Sequence, residues 1–345
     1  MLDIKLFDYH LPEGRIAFYP AEPRDSSKLL FLPKHAGESV HGKFSDIVDF
    51  LRPGDLLVLN DSKVFPARLF GVKVGTGAKV EIFLLEKMTA NRWDALVRPG
   101  KRLPPGTEIE LFDGKLRAVI GERTDFGGRT VDFNANGNLM ELIWNHGEIP
   151  LPPYINRQAD DADKTRYQTV YAENVGAVAA PTAGFHFTDD LLKRISEKSV
   201  EIAKITLHPG LGTFRPITSG DIKSHKMHTE KYTIPESTAH AINKAKKQKR
   251  RVIAVGTTTV RALESAVNAD SEVQPHDWTG TDLFIKPAFE FKIVDGLITN
   301  FHLPKSTLLV LISAFATRER ILSAYQEAID RGYRFYSYGD AMLIL

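Results

Sequence analysis

The sequence predicts an α/β protein: a discontinuous α/β main domain with a smaller inserted antiparallel β-barrel domain. Three observations lead there. Between residues 68 and 133, short runs follow one another with turn residues between them and no helical period. From about residue 154 onward, helix-like and strand-like stretches alternate, which is α/β texture. Residues 1–62 carry the same mixed texture, with a helix signal at 44–51 and a buried-type strand at 55–59. The strand-rich segment therefore reads as an insertion. The expected division is 1–62 with 152–345 for the α/β domain and 63–151 for the barrel, and 345 residues suffice for two such cores.

The expected barrel strands are 68–73, 79–87, 92–98, 107–111, 115–123 and 129–133. Gly75 and Gly77, Asn91, Pro104 to Gly106, Asp113-Gly114 and Gly127-Gly128 separate them, and Asp-Gly between alternating runs is a strong hairpin signal. Six short strands with no helix between them suit a small antiparallel barrel. Leu139, Leu142 and Ile143 then mark a short helix closed by Gly147. Thr188 is a good N-cap, and Asp189 and Asp190 sit in the first turn, where carboxylates suit the helix dipole. A strand at 200–207, a helix at 236–249 and an apolar strand at 252–255 follow. The last leads through Gly256-Thr257-Thr258-Thr259 into another helix.

Composition narrows the function class. An apolar share of 43% with 26% charged residues is ordinary for a folded globular chain. The longest apolar run, 308–316, is about half of the roughly 20 residues that span a bilayer. The first eight residues lack the basic-then-apolar order of a signal peptide, so a cytoplasmic location is expected. Cysteine is absent, which excludes disulfides, thiolate zinc sites and cysteine nucleophiles. Net charge is only +2, so nucleic-acid contact requires a local basic patch.

Four loops concentrate small, polar and imidazole side chains. In 176–188, small residues let backbone amides approach a ligand, and Thr182 and His186 precede a helix start. In 206–214, His208 follows the C-terminal end of a strand, where α/β sheets usually place ligands. Gly256 to Arg261 is a strand–turn–helix junction whose amides, with Arg261, can hold a carboxylate. Segment 299–307 carries Asn300, His302 and Lys305 and ends in a helix cap. Each has a plainer explanation, since a histidine beside a cap often only satisfies backbone groups and Gly-rich turns are usually just turns.

The basic run 244–251 reads more readily as a solvated helix face than as an RNA footprint. Arg98, Lys101 and Arg102, on a Gly-Pro loop, are better placed to reach phosphates. Trp93, Trp144 and Trp278 are expected in the core or an interface rather than as stacking platforms.

The stretches 60–71, 98–102, 147–155, 166–171, 179–188, 208–215, 225–230, 255–264, 299–308 and 333–342 together resemble the S-adenosylmethionine:tRNA ribosyltransferase-isomerase family of queuosine biosynthesis. Departures are small: Phe185 stands where leucine is expected and Pro209 where a small apolar residue is expected. The resemblance implies a transferase that moves the ribosyl group of S-adenosylmethionine onto 7-aminomethyl-7-deazaguanine. The acceptor base is at the wobble position of tRNAs with GUN anticodons. Adenine and methionine leave, and the ribose isomerises to give epoxyqueuosine. S-adenosylmethionine would be a consumed substrate, with no cofactor, no metal and no membrane partner, and the chain is expected to act as a monomer.

That chemistry needs an ammonium deprotonated, a C5′ proton removed beside the sulfonium, and leaving adenine stabilised. Histidine suits proton transfer near neutral pH, which nominates His186, His208, His228 and His302. Glu230 or Asp340 would hold the substrate ammonium, and Arg261 the methionine carboxylate by a forked ion pair. Thr182, Thr257 and Thr258 would bond ribose hydroxyls or adenine edges. Asn60, Lys63 and Arg68, at the domain junction, would touch either ligand, and Asn300 and Lys305 complete the expected substrate contacts. Arg98, Lys101 and Arg102 would bind tRNA. His225, His228 and Glu230 suggest zinc, but no single strand or helix turns all three side chains to one point. Two other classes fit the same residues less well: an RNA methyltransferase using the same donor, and a non-catalytic RNA-binding module.

Overall fold

Strands that are apolar at every position need cover on both faces, and that requirement organises the larger part of the molecule. The structure, a computed structural model, describes residues 3–124, 127–135, 137–210, 222, 225 and 227–345. The strands begin with β1 (Lys28–Leu32), β2 (Val40–Lys43), β3 (Leu56–Asn60) and β4 (Ser62–Val64). Next come β5 (Arg68–Lys73), β6 (Lys79–Lys87), β7 (Arg92–Arg98), β8 (Glu108–Leu111), β9 (Leu116–Arg123) and β10 (Arg129–Asn134). The C-terminal half adds β11 (Asn174–Ala177), β12 (Glu201–His208), β13 (Glu230–Ile234), β14 (Val252–Val255), β15 (His276–Thr281), β16 (Gly296–Asn300) and β17 (Ala341–Ile344). The helices are α1 (Ile47–Phe50), α2 (Leu139–His146), α3 (Asp163–Arg166), α4 (Asp189–Glu197), α5 (Glu236–Lys247), α6 (Thr257–Ser265), α7 (Thr307–Ala316) and α8 (Arg318–Asp330).

A nine-stranded sheet runs β15-β13-β12-β3-β14-β16-β17-β1-β2. Its centre, β12-β3-β14-β16, is parallel. β17 lies antiparallel to β16 and parallel to β1, with Leu29 in register with Ala341. Along β3 the side chains alternate between two cores. Leu56 and Val58 pack with residues of α5 to α8, and Leu57 and Leu59 pack with Ile47 of α1 and Leu191 and Ile195 of α4. Both faces are therefore covered, as the unbroken apolar runs require.

Strands β5 to β10 close into a barrel in the order β10-β7-β6-β5-β8-β9. Inward residues such as Leu69, Ile82, Ala95, Ile109, Ala118 and Val131 form its core, and Leu139 and Ile143 of α2 pack against it. Each barrel strand falls within one residue of its predicted bounds. The Asp-Gly turn is a four-residue one in which Phe112 and Asp113 also take left-handed backbone (φ 56 and 55).

Outside the barrel, the strand expected at 55–59 runs Leu56–Asn60, the helix expected at 236–249 ends at Lys247, and two further elements differ. The helix expected over 44–51 is a 3-10 turn at Phe44–Asp46 followed by the single turn of α1. Pro53 offers no N–H to extend it and biases Arg52 towards extended backbone. The strand expected at 200–207 is shifted one residue, so His208 closes β12 instead of following it.

Candidate active site

The site forms where the central strands end. β14 leads through Gly256, whose φ of 91 favours glycine, into the first turn of α6. β16 ends at Asn300, and after a turn the Ser306 hydroxyl accepts the Leu309 N–H (3.1 Å) to cap α7. The 3-10 turn Thr182–His186 lies against them, and Thr188 caps α4 by accepting the Leu191 N–H (3.1 Å). Between these segments lies an open cleft. Thr182, Thr257, Thr258, Asn300 and His302 all line it, with Pro209 at one side. Among the described residues its lining contains no Asp, Glu, Lys or Arg.

One hydrogen-bond chain fixes the cleft's polarity. The Thr182 hydroxyl donates to Asn300 Oδ1 (3.1 Å), and Asn300 Nδ2 donates to the Tyr336 carbonyl (3.1 Å). The same Nδ2 lies 3.2 Å from His186 Nε2, and Ser27 Oγ is 2.7 Å from His186 Nδ1. An amide nitrogen can only donate, so Nε2 accepts and the Nδ1 proton goes to Ser27. His186 thus stands behind the cleft and orients Asn300. Its burial, with the charges of Arg334 and Arg24, holds it at about 3, so the ring is neutral at pH 7.

His302 reaches the cleft itself. Its Nε2 is 2.8 Å from Thr299 Oγ1, and burial of most of the ring lowers it to about 3. His208 is also lowered by burial, to about 4, and stacks against Trp278 with centroids 4.7 Å apart and planes at 25°. His228 lies half-buried two residues ahead of β13, away from the cleft lining. Residues 211–214 of the second predicted loop, and the family-like stretch to Arg215, lie outside the described residues, as does Lys226.

Several predicted ligand contacts have other occupations. Arg261 and Glu230 form an ion pair with each other, their side chains 4% and 3% exposed. Arg261 Nε also donates to the Leu283 carbonyl (2.9 Å), and Glu230 accepts the Gly210 N–H (3.2 Å). A buried guanidinium needs a carboxylate beside it, so the pair braces α6 against β13 and neither side chain lines the cleft. Asp340 is buried too, accepting the main-chain N–H of Lys28 (3.0 Å) and of Arg334 (2.8 Å). It anchors β1 to the turn before β17 and is not a free ammonium receptor. Asn60 ties β3 to β12 through both the carbonyl (2.9 Å) and N–H (3.0 Å) of Leu207. Lys305 pairs with Asp8 (2.7 Å), Arg68 with Glu81 (3.2 Å), and Lys63 lies over Trp144 (5.8 Å).

The basic run resolves by pairing. Lys246 meets Asp295 (2.9 Å), Lys247 Glu272 (2.9 Å), Arg250 Glu201 (3.1 Å) and Arg251 Asp55 (2.5 Å). Arg98, by contrast, is 78% exposed and only loosely near Glu81 (3.8 Å), and Lys101 and Arg102 are exposed in the turn Gly100–Arg102.

Among the lining residues outside the site prediction are Tyr154 and Tyr336, stacked at 4.7 Å, and Ser337, hydrogen-bonded to Tyr154 (2.5 Å). All three fall in the family-like stretches 147–155 and 333–342, which were the available signal. The family profile described as queuosine biosynthesis protein matches residues 4–344 of this chain. The chain belongs to that family. S-adenosylmethionine:tRNA ribosyltransferase-isomerases of Halothermothrix orenii and Staphylococcus epidermidis are 50% and 51% identical over 345 residues, covering all of both chains. The one from Heliobacterium modesticaldum is 51% identical over 344 residues. A crystal structure of S-adenosylmethionine tRNA ribosyltransferase from Thermotoga maritima is 39% identical, covers 99% of this chain and 100% of that one, and superposes with a TM-score of 0.57.

Proposed function

We propose that this chain transfers and isomerises the ribosyl group of S-adenosylmethionine onto 7-aminomethyl-7-deazaguanine at the wobble position of GUN-anticodon tRNAs. Adenine and methionine are released and epoxyqueuosine is formed. The observation that carries this is the convergence of Thr182, Thr257, Thr258, Asn300 and His302, from three separate loops, on one uncharged cleft.

Each lining group then has a chemical task. The Thr182 proton is committed to Asn300, so its hydroxyl presents lone pairs to a ribose hydroxyl or the adenine amino group. The first turn of α6, with Thr257 and Thr258, offers amides to the methionine carboxylate, the task first assigned to Arg261. His302 is neutral at pH 7 and is the imidazole placed to accept a proton in the cleft. Asn300 is held for ligand contact by His186, a positioning residue. His208 and His228 are left to the acceptor side, where Lys63 and Arg68 mark the junction between the discontinuous 1–62 and 152–345 unit and the 63–151 barrel. The exposed Arg98, Lys101 and Arg102 take tRNA phosphates. S-adenosylmethionine is consumed, no metal takes part, and the chain works as a cytoplasmic monomer. No described helix is long and apolar enough to cross a membrane.

The test is incubation with labelled S-adenosylmethionine and tRNA bearing the aminomethyl-deazaguanine. Adenine release that depends on the tRNA is expected. S-adenosylhomocysteine without adenine would replace the proposal with methyl transfer.

A further inference from the structure

Trp278 stands on β15, the edge strand of the large sheet, and leaves 53% of its surface in solvent. An exposed indole is usually mobile, but this one is fixed from below. His208 lies parallel to one face, and the imidazole is itself clamped. Its Nε2 packs so closely on Gly176 that an added Cβ there would lie 2.5 Å away. Gly176 also has φ +151, so the position is built for glycine. Among the described residues, no aromatic ring covers the other face of the indole.

The location matters as much as the geometry. His208 is followed directly by Pro209 at the cleft. In the ladder His208 sits opposite Lys231, which pairs with Glu86 of the barrel. Glu86 and Glu81 are on β6, and Glu81 is in register with Arg98, so the exposed cations begin about 17 Å along that strand, five residues at roughly 3.4 Å each. The indole thus sits between a loop suited to phosphates and a cleft suited to the donor.

Resting on the proposed function, we infer that the open face of Trp278 is a stacking platform for a nucleobase of the acceptor tRNA. Every base has a π-face, so stacking positions the nucleotide without choosing its identity. The burial that keeps His208 neutral leaves a ring that packs as a flat support.

The test pairs kinetics with fluorescence in the full-length protein. Trp278→Ala should raise KM for tRNA about 5- to 150-fold, leaving KM for S-adenosylmethionine and the melting temperature unchanged, while Trp278→Phe recovers most of the loss. A GUN-anticodon tRNA transcript should quench a part of the wild-type tryptophan emission that Trp278→Phe lacks. If no adenine is released by the wild type yet this quenching difference appears, the proposed function falls and the platform stands. If adenine is released but Trp278→Ala keeps wild-type KM for tRNA and the quenching difference is absent, the platform is wrong. A rise confined to KM for S-adenosylmethionine also overturns it, giving the indole to the donor.

Discussion

Replacing Arg261 by Met separates a brace from a ligand contact. Arg261→Met removes the guanidinium and leaves the Glu230 carboxylate in its buried position, where the Gly210 N–H still reaches it. Removing one partner of a buried pair costs about 3–5 kcal/mol. Unfolding entropy of about 2.1 cal/mol/K per residue comes to about 0.7 kcal/mol/K over 345 residues. The expected drop in melting temperature is therefore about 4–7 °C, towards the lower end because the Gly210 N–H still bonds Glu230. Adding Glu230→Gln should recover part of it, since the double variant buries neither charge of the pair. Calorimetry supplies the melting temperatures, and adenine-release kinetics supply KM for the donor, which should change less than the stability. A melting temperature within 1 °C of wild type, together with a 10-fold or larger rise in donor KM, would refute the brace and return Arg261 to the methionine carboxylate.

Two further perturbations test other parts of the structure. Neutralising Arg98, Lys101 and Arg102 together should weaken tRNA binding and lower the log–log salt slope by about 0.7–0.9 per lost phosphate contact; an unchanged slope means the loop faces away from RNA. His186 and His302 titrate near 3 and His208 near 4 in the folded chain, below the ordinary ~6.5, so the unfolded chain binds more protons as pH falls. Stability should be full above about pH 6.5 and decline towards pH 3–4 by up to roughly 1.4 kcal/mol per pH unit per ring. Urea midpoints at pH 7 and pH 5 measure it, and equal midpoints would refute the buried neutral rings.

The barrel was legible because its signals are local. Turn residues punctuate it, and period-2 runs fill the gaps, so the bounds of β5 to β10 follow from neighbours in sequence. The convergence of Thr182, Thr257, Thr258, Asn300 and His302 was legible for a related reason: each sits at or just past the end of a strand, or at the start of a helical turn. What stayed hidden was every outcome set by a distant partner. Glu230 and Arg261 each suggest a ligand contact until the fold pairs them. The run 244–251 reads as a solvated helix face, and only the fold shows that Lys246, Lys247, Arg250 and Arg251 are paired, with Asp295, Glu272, Glu201 and Asp55 from four other segments. Trp278 was expected to be covered, and only the sheet order shows that it lies on an edge strand.

The pairing of β1 with β17 also sets a timetable for synthesis. Leu29 waits for Ala341, some 300 positions later, and translation at about 5–20 residues per second makes that delay roughly 15–60 s. The barrel strands pair with one another inside Arg68–Asn134, so that unit can close on the ribosome early in this interval. Throughout it β1 has only β2 beside it, and its other edge is an open template for wrong strands. The candidate cleft, whose lining includes Tyr336 and Ser337 of the turn leading into β17, is therefore among the last features of the nascent chain to form.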